Sequence, residues 1–307
     1  MRILVLGFSG YLGRHIAAHL RDVPNTQVLG AGRGPDADYG VDLARDEPER
    51  LAMTLKSAAP DAVVNCAGVT GGDAVTLAEV NARGPAVLCA ALREAAPAAR
   101  VVHLGSAAEY GPGVPGTKET ESAATRPLGP YGATKLAGTV TVTTSGLDAV
   151  VLRVGNPVGP GAPPTGLPGR ITALLRAAGQ DPEAVLRLGD LSAYRDFVDV
   201  RDVARAAVLA ATAPGRLPPV LNISGGEAFP VRELVRKLAR RAGFRGRVEE
   251  NADGSTRSAE VSWQCSAVSA ADDALGWRPS HTLDESLAAL WAATDPRPRE
   301  PGGDSTP

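Results

Sequence analysis

The sequence predicts an α/β protein: a doubly wound parallel sheet followed by a smaller, discontinuous C-terminal lobe. Three observations carry this. Short, β-branched apolar runs alternate with helical patterns through the first half, a glycine-rich turn joins the first run to the first helix, and the texture changes after residue 154. The runs RILVL (2–6), QVLGA (27–31), DAVVNC (61–66), RVVHLG (100–105) and DAVVLRV (148–154) are nearly continuous in apolar residues, as buried parallel strands are. Helical patterns lie between them at 11–22, 46–58, 74–95 and 129–144, and parallel neighbours need such crossovers. The segment GNPVGPGAPPTGLPG (155–169) can be neither helix nor strand for long. Beyond it a helix (RITALLRAAG), a strand (AVLRLG), a strand running into a helix (AYRDFVDVRDVARAAVLAA), VLNISGG, the helix VRELVRKLARRAG, the strand RVEE and a final helix follow. Thr282 and Glu285 open the final helix as a capping box. The reading assigns 1–154 with 194–221 to a dinucleotide-type domain, 155–193 with 222–293 to a substrate lobe, and 294–307 to a disordered tail.

Composition narrows the class. The 307 residues are 44% hydrophobic, enough for a full core, and the net charge is −2 with basic residues scattered. That pattern argues against a nucleic-acid groove or a membrane surface and points to a small-molecule partner. Cys66, Cys89 and Cys265 are far apart and odd in number, so they are expected to be reduced residues of a cytoplasmic protein. The chain opens directly on a strand, without signal-peptide features, and no apolar run approaches the ~20 residues of a membrane span. His15 and His19 have helical spacing, but Ile16 stands where a zinc protease needs glutamate, and no metal is expected.

Gly7, Gly10 and Gly13 form G-x-x-G-x-x-G directly after the first strand. The first permits the tight turn, the second lets the backbone approach a pyrophosphate at the helix N-terminus, and the third allows close helix–strand packing. An NAD enzyme usually offers an acid at the end of the second strand, for the ribose hydroxyls. Here the strand ends in GAGRG, and Arg33 suits a 2′-phosphate, which favours NADP(H) while NAD(H) stays possible. Asp42 follows within reach of an adenine amine, and NCAGVTG (65–71) ends its strand in small residues across which a cofactor can lie.

LGSAAEYG presents Ser106 at the carboxyl edge of the sheet, and YGATK places Tyr131 one helical turn before Lys135. The three suit carbonyl reduction. An ammonium lowers a phenol's pKa from about 10, making it a proton donor near neutrality, and a hydroxyl holds the substrate oxygen.

With these motifs, the "DL" at 42–43, Asn81 in EVNARG, GNPVGPG, RDFVDVRDVA and LGWRP, the chain resembles the extended short-chain dehydrogenase/reductases, in particular the NAD(P)-dependent sugar epimerase/dehydratase family, over residues 1 to about 293. The resemblance implies a Rossmann-type sheet and a catalytic triad of Ser106, Tyr131 and Lys135. It implies cofactor contacts from Gly7, Ser9, Gly10, Tyr11, Leu12 and Gly13 in the first turn. Further contacts are implied from Arg33, Asp42 and Leu43, from Cys66, Ala67 and Gly68, and from Asn81, Tyr131 and Lys135. On the substrate side it implies Ser106, Ala107 and Asn156, with Arg195 and Arg278 on a nucleotide diphosphate; for each arginine a surface salt bridge is the competing reading. Relatives often dimerise through a four-helix bundle, here using 74–95 and 129–144.

Dehydratases carry an acidic pair after the catalytic Ser or Thr, whereas this chain has Ala107 and Ala108, and Glu109 is expected to face away on a strand-like segment. Arg33, VLRLGDLSAYRDFVDVRDVARA and GSAAEYGP favour an NADPH-dependent ketoreductase of a 4-keto-6-deoxy nucleotide sugar, similar to GDP-4-keto-6-deoxy-mannose reductases. A 4-epimerase with tightly bound NAD is the alternative. The abundance of Ala, Gly, Pro and Arg resembles high-GC bacterial proteins, where such enzymes also tailor natural products, so a polyketide carbonyl stays open. A dinucleotide-sensing regulator would typically lack the tyrosine or lysine; both are present.

Overall fold

The computed structural model describes residues 1–250 and 261–294. The strands are β1 (Arg2–Leu6), β2 (Gln27–Gly32), β3 (Tyr39–Gly40), β4 (Ala62–Asn65), β5 (Arg100–Ser106), β6 (Ala149–Val154), β7 (Asn156–Val158), β8 (Val185–Leu188), β9 (Tyr194–Asp199), β10 (Val220–Ile223), β11 (Ala228–Pro230) and β12 (Arg247–Glu250). The helices are α1 (Tyr11–Arg21), α2 (Pro48–Ala58), α3 (Ala74–Ala78), α4 (Gly84–Ala95), α5 (Pro130–Thr143), α6 (Leu167–Ala178), α7 (Val200–Thr212), α8 (Val231–Ala242), α9 (Ser269–Leu275) and α10 (Leu283–Ala293).

Seven strands pair in the order β10-β6-β5-β4-β1-β2-β3, all parallel. The order reverses between β1 and β4, which opens a crevice at their carboxyl ends, the ligand position of doubly wound sheets. Both faces are covered because each strand is apolar on both sides: Val5, Val64 and Val102 pack with Ile16 and Ala207 of α1 and α7, while Leu4, Val63 and Val101 pack with Leu55 and Leu88 of α2 and α4. A second core (Leu175, Leu188, Phe197, Leu234, Leu287) holds the smaller lobe, where β9 pairs antiparallel with β11 and parallel with β7, and β8 pairs with β12.

Several expectations change. The helix expected over 74–95 is three pieces: α3, one π turn at Glu79–Arg83, and α4. Pro85 in the first turn of α4 has no N–H to give, so the ladder cannot run through. The division of the chain is also more interleaved than expected. Strand β9 belongs to the small sheet, whereas Trp277, after α9, lies fully buried in the core of the large one and donates its indole N–H to Asp202 O at 2.9 Å. The expected tail lies, beyond Thr294, outside the described residues. The Thr282–Glu285 capping box forms, with both reciprocal bonds present.

Candidate active site

The first turn shows why glycines are needed. Gly7 has φ +73°, and a Cβ on it would lie 2.8 Å from Ala67 N; one on Gly13 would lie 2.1 Å from Gly7 O. Gly10 caps α1 with an extended backbone, next to exposed Ser9, so the first amides of α1 open on the crevice without intrahelical acceptors. Those amides can hold a pyrophosphate. The side chains of Tyr11 and Leu12 do something else: Leu12 packs on the core, and the Tyr11 hydroxyl donates to Gly159 O at 3.4 Å. Burial raises the Tyr11 phenol well above its ordinary value, with the Asp199 carboxylate adding to it. Arg14 (to Gly161 O) and His15 (Nε2 to Pro160 O, 2.9 Å) continue this contact, so the cofactor helix grips the loop that leads into α6.

Arg33 is exposed just beyond β2 and makes no hydrogen bond or ion pair with a described residue. The nearest following acid with a defined bond, Asp38, accepts the Gly30 N–H at 2.7 Å. Asp42 accepts the Ala44 N–H at 3.1 Å within its own turn. Leu43, expected at the cofactor, has its side chain buried in the core against Gly84.

At the end of β4, burial pushes the Cys66 thiol up to about 12, so it stays neutral there. Ala67 bonds its N–H to Asn65 Oδ1, and Gly68 lies between Asn81 and Lys135: a Cβ on it would be 3.3 Å from Asn81 Oδ1 and 3.9 Å from Lys135 Nζ. Asn81 was expected to contact the cofactor. Its amide is committed to both backbone groups of Val69, with Nδ2 also 3.4 Å from Thr134 Oγ1, so it shapes the floor on which a cofactor lies.

Ser106 ends β5 nearly buried; its hydroxyl oxygen accepts the Ala108 N–H at 3.2 Å, and its N–H donates to Glu109 Oε1 at 2.7 Å. Residues Ala107–Glu109 form one 3-10 turn closed by this capping box, so Glu109 folds back beneath Ser106 instead of facing away on a strand. Ala107 is buried in that turn. Gly132 lets the first turn of α5 lie on it, since a Cβ there would come 2.5 Å from Ala108 O. Half-buried Tyr131 lies on that first turn, one residue before the glycine that meets the 106–109 turn. Lys135 follows one turn later, buried, and donates to Leu104 O at 2.5 Å. Burial lowers the Lys135 pKa, opposed by the charge of Glu109. The first turn of α5, which carries Tyr131, thus lies on the turn that follows Ser106, and Lys135 reaches the end of β5 beside Gly68.

On the substrate side, Asn156 Nδ2 donates to Asp196 O (3.0 Å) and Gln264 Oε1 (2.9 Å). Arg195 is buried at the start of β9, and burial holds its pKa below the ordinary arginine value. Arg278 is corrected. Its guanidinium is three-quarters exposed and paired with Asp272 at 2.6 Å, and its carbonyl is taken by Arg205, so it is a surface salt bridge beside α7. A network the motifs did not single out lies behind Ser106: Arg153 Nε donates to Glu109 Oε2 at 2.8 Å, its guanidinium sits 4.6 Å from the centre of the Tyr110 ring, and Tyr110 donates to Asn222 Oδ1. Its signal was present in "LRV" and "EYG", an arginine near the end of one strand and an acid in the turn after its neighbour.

Sheet, glycine turn and the Ser–Tyr–Lys group define a dinucleotide-dependent oxidoreductase. The family model described as "NAD dependent epimerase/dehydratase family" matches residues 3–224. The chain belongs to that family and is an NAD(P)-dependent oxidoreductase of the extended short-chain type. It is 36% identical to a dTDP-6-deoxy-L-talose 4-dehydrogenase (NAD(P)(+)) of Kitasatospora kifunensis, over 97% of this chain and 96% of that one. It is 28% identical to a GDP-6-deoxy-D-mannose reductase of Pseudomonas aeruginosa, over 97% and 99%. The solved structure of RMD from Pseudomonas aeruginosa with NADPH superposes with a TM-score of 0.82 at 26% identity, covering 95% of this chain and 98% of that one. Among the described residues, no helix is long and apolar enough to cross a membrane.

Proposed function

We propose that this chain is an NADPH-dependent ketoreductase that reduces the 4-keto group of a nucleotide-linked 6-deoxy sugar. The observation that carries the proposal is the close fit of Gly132, the neighbour of Tyr131, on the 106–109 turn, with buried Lys135 one turn later against Gly68. The cofactor's fit rests on the open α1 amides after Gly10, the small-residue floor at Gly68, and exposed Arg33. When bound, the nicotinamide supplies a hydride. Tyr131 gives its phenolic proton to the carbonyl oxygen, Ser106 donates a hydrogen bond to the same oxygen, and the Lys135 ammonium stabilises the phenolate that remains. Arg195 holds the diphosphate end of the substrate, and Asn156, whose amide N–H groups go to Asp196 O and Gln264, braces the strand that carries it.

Two further points support the reading. A 4-dehydrogenase run backwards is a 4-ketoreductase, which relates the proposal to the Kitasatospora relative's stated activity. Water elimination lacks an acid, because Ala107 and Ala108 carry none and Glu109 is taken by Ser106 N–H and Arg153. Exposed Val75 and Val140, on the two helical segments 74–95 and 130–143, favour a homodimer through those helices.

The test is incubation of purified protein with dTDP- and GDP-linked 4-keto-6-deoxy sugars and either NADPH or NADH, following nicotinamide absorbance and the product alcohol. We expect NADPH consumption matched by alcohol formation. Interconversion of 4-epimers with retained NAD and no net cofactor turnover would replace this reading with the epimerase.

A further inference from the structure

We propose that Glu109 is a positioning residue for the Tyr131–Lys135 pair: its carboxylate locks the Ser106 turn and supplies the negative charge that answers the buried Lys135 ammonium. The inference deepens the ketoreductase reading and rests on it for the roles of residues 131 and 135.

The geometry comes from one strand end. Lys135 donates to Leu104 O; Glu109 Oε1 accepts the N–H of Ser106, two residues along. Gly105 between them leaves the room: a Cβ on it would come 2.8 Å from Glu109 Oε1 and 3.3 Å from Thr139 Oγ1. The carboxylate therefore lies in the slot between β5 and α5, on the face from which Lys135 and Thr139 project, and is fully buried. A buried ammonium is costly unless a charge answers it.

The other titratable groups around this slot do not serve. From β4, Cys66 is neutral; from β5, His103 is kept neutral by burial, with the Lys135 charge adding to the effect. From β6, Arg153 is positive and bonded to Glu109, and the Tyr110 ring lies against it. The Glu121 carboxylate is turned to the Asn222 N–H. Of these groups, Glu109 is the carboxylate that acts on Lys135.

Glu109→Gln removes the charge and keeps one acceptor for the Ser106 N–H, while its NH2 loses the bond from Arg153 Nε. Loss of a negative charge lowers the pKa of every neighbouring acid, whether the proton leaves the phenol or the ammonium. The experiment is a spectroscopic pH titration of phenolate absorbance on the full chain, taken as the difference between each protein and its Tyr131→Phe counterpart, alongside the pH profile of NADPH-dependent turnover. In Glu109→Gln both the Tyr131 titration and the alkaline limb are expected to move down by about one pH unit. In Arg153→Met, which removes the opposing charge, both are expected to move up. A Glu109→Gln protein that melts like the parent and titrates unchanged would reduce Glu109 to a turn cap and overturn the proposal. If Glu109→Gln does not fold, the upward shift in Arg153→Met decides, and its absence overturns the proposal. A shifted Tyr131 titration without turnover of any keto sugar would instead sink the ketoreductase reading and leave the charge relationship standing.

Discussion

Asn81 holds Val69 by both of its backbone groups, accepting the N–H at Oδ1 (3.0 Å) and donating Nδ2 to the carbonyl (2.9 Å). The asparagine is almost fully buried in the single π turn, and Val69 follows the small residues that end β4. Asn81→Ala leaves two backbone groups of Val69 without this partner, at a cost of about 1–3 kcal/mol. We expect a lower melting temperature together with weaker NADPH binding, measured by thermal denaturation and by fluorescence titration. An unchanged cofactor affinity in a destabilised variant would show that the loop keeps its shape without Asn81.

Tyr131→Phe removes the proposed proton donor and keeps the ring. General acid catalysis is worth about 10²–10⁴-fold, and turnover is expected to fall by that factor with NADPH binding retained. Steady-state kinetics beside a binding titration check it. A variant that reduces the keto sugar at the parental rate would remove Tyr131 from the chemistry.

Arg33 is placed to choose between cofactors, being exposed and without a hydrogen bond or ion pair to a described residue. A charged hydrogen bond to a 2′-phosphate is worth about 1.5–3 kcal/mol, or roughly 10- to 100-fold. Arg33→Ala is expected to raise the KM for NADPH by that factor and leave the KM for NADH nearly unchanged. Equal effects on the two cofactors would place the arginine elsewhere on the dinucleotide.

The strands of the large sheet were legible because each is a continuous apolar run bounded by turn residues, and β1 is observed over the residues expected. What escaped depended on partners distant in sequence or on one side chain. Strands β7 and β11 exist because β9 lies between them, and neither NPV nor AFP announces a strand alone. Pro85 is visible in the sequence, yet a helical pattern on both sides hides the π turn it forces. Glu109 was misread because the 106–109 turn is made by its own carboxylate reaching back, which alternation along a strand does not anticipate. The motif around Arg278 was clear, but whether its guanidinium meets a ligand or Asp272 depends on how α9 packs.

The two arginines of the substrate half now separate. Arg195 is buried, and Arg278 forms an exposed, solvent-screened ion pair. Arg195→Lys is expected to raise the KM for the nucleotide sugar about 10-fold or more, since a lysine cannot reproduce bidentate binding of a phosphate. Arg278→Ala is expected to leave KM and kcat within a factor of two, with the melting temperature nearly unchanged. Comparable KM defects in both variants would restore Arg278 to the substrate site.

Asp196, next to Arg195, ties the small sheet together and makes the fold sensitive to pH. Its carboxylate accepts N–H groups from Gly226 (3.0 and 3.2 Å) and Ser266 (3.0 Å), and its own carbonyl takes Asn156. Burial outweighs those bonds and pushes its pKa from 3.8 up to about 6. The folded chain therefore holds this proton where the unfolded chain has lost it, so the contribution of Asp196 to stability declines as pH rises from about 4 to 6 and is constant above. The full decline is on the order of 3 kcal/mol. Asp196→Asn cannot ionise, and although it loses an acceptor at every pH, it escapes this decline. Urea denaturation at pH 4.5 and 7.5 is expected to show the variant gaining on the parent at the higher pH. A difference between the two proteins that is the same at both values would mean that the N–H groups of Gly226 and Ser266 keep the carboxylate ionised throughout, against the effect of burial.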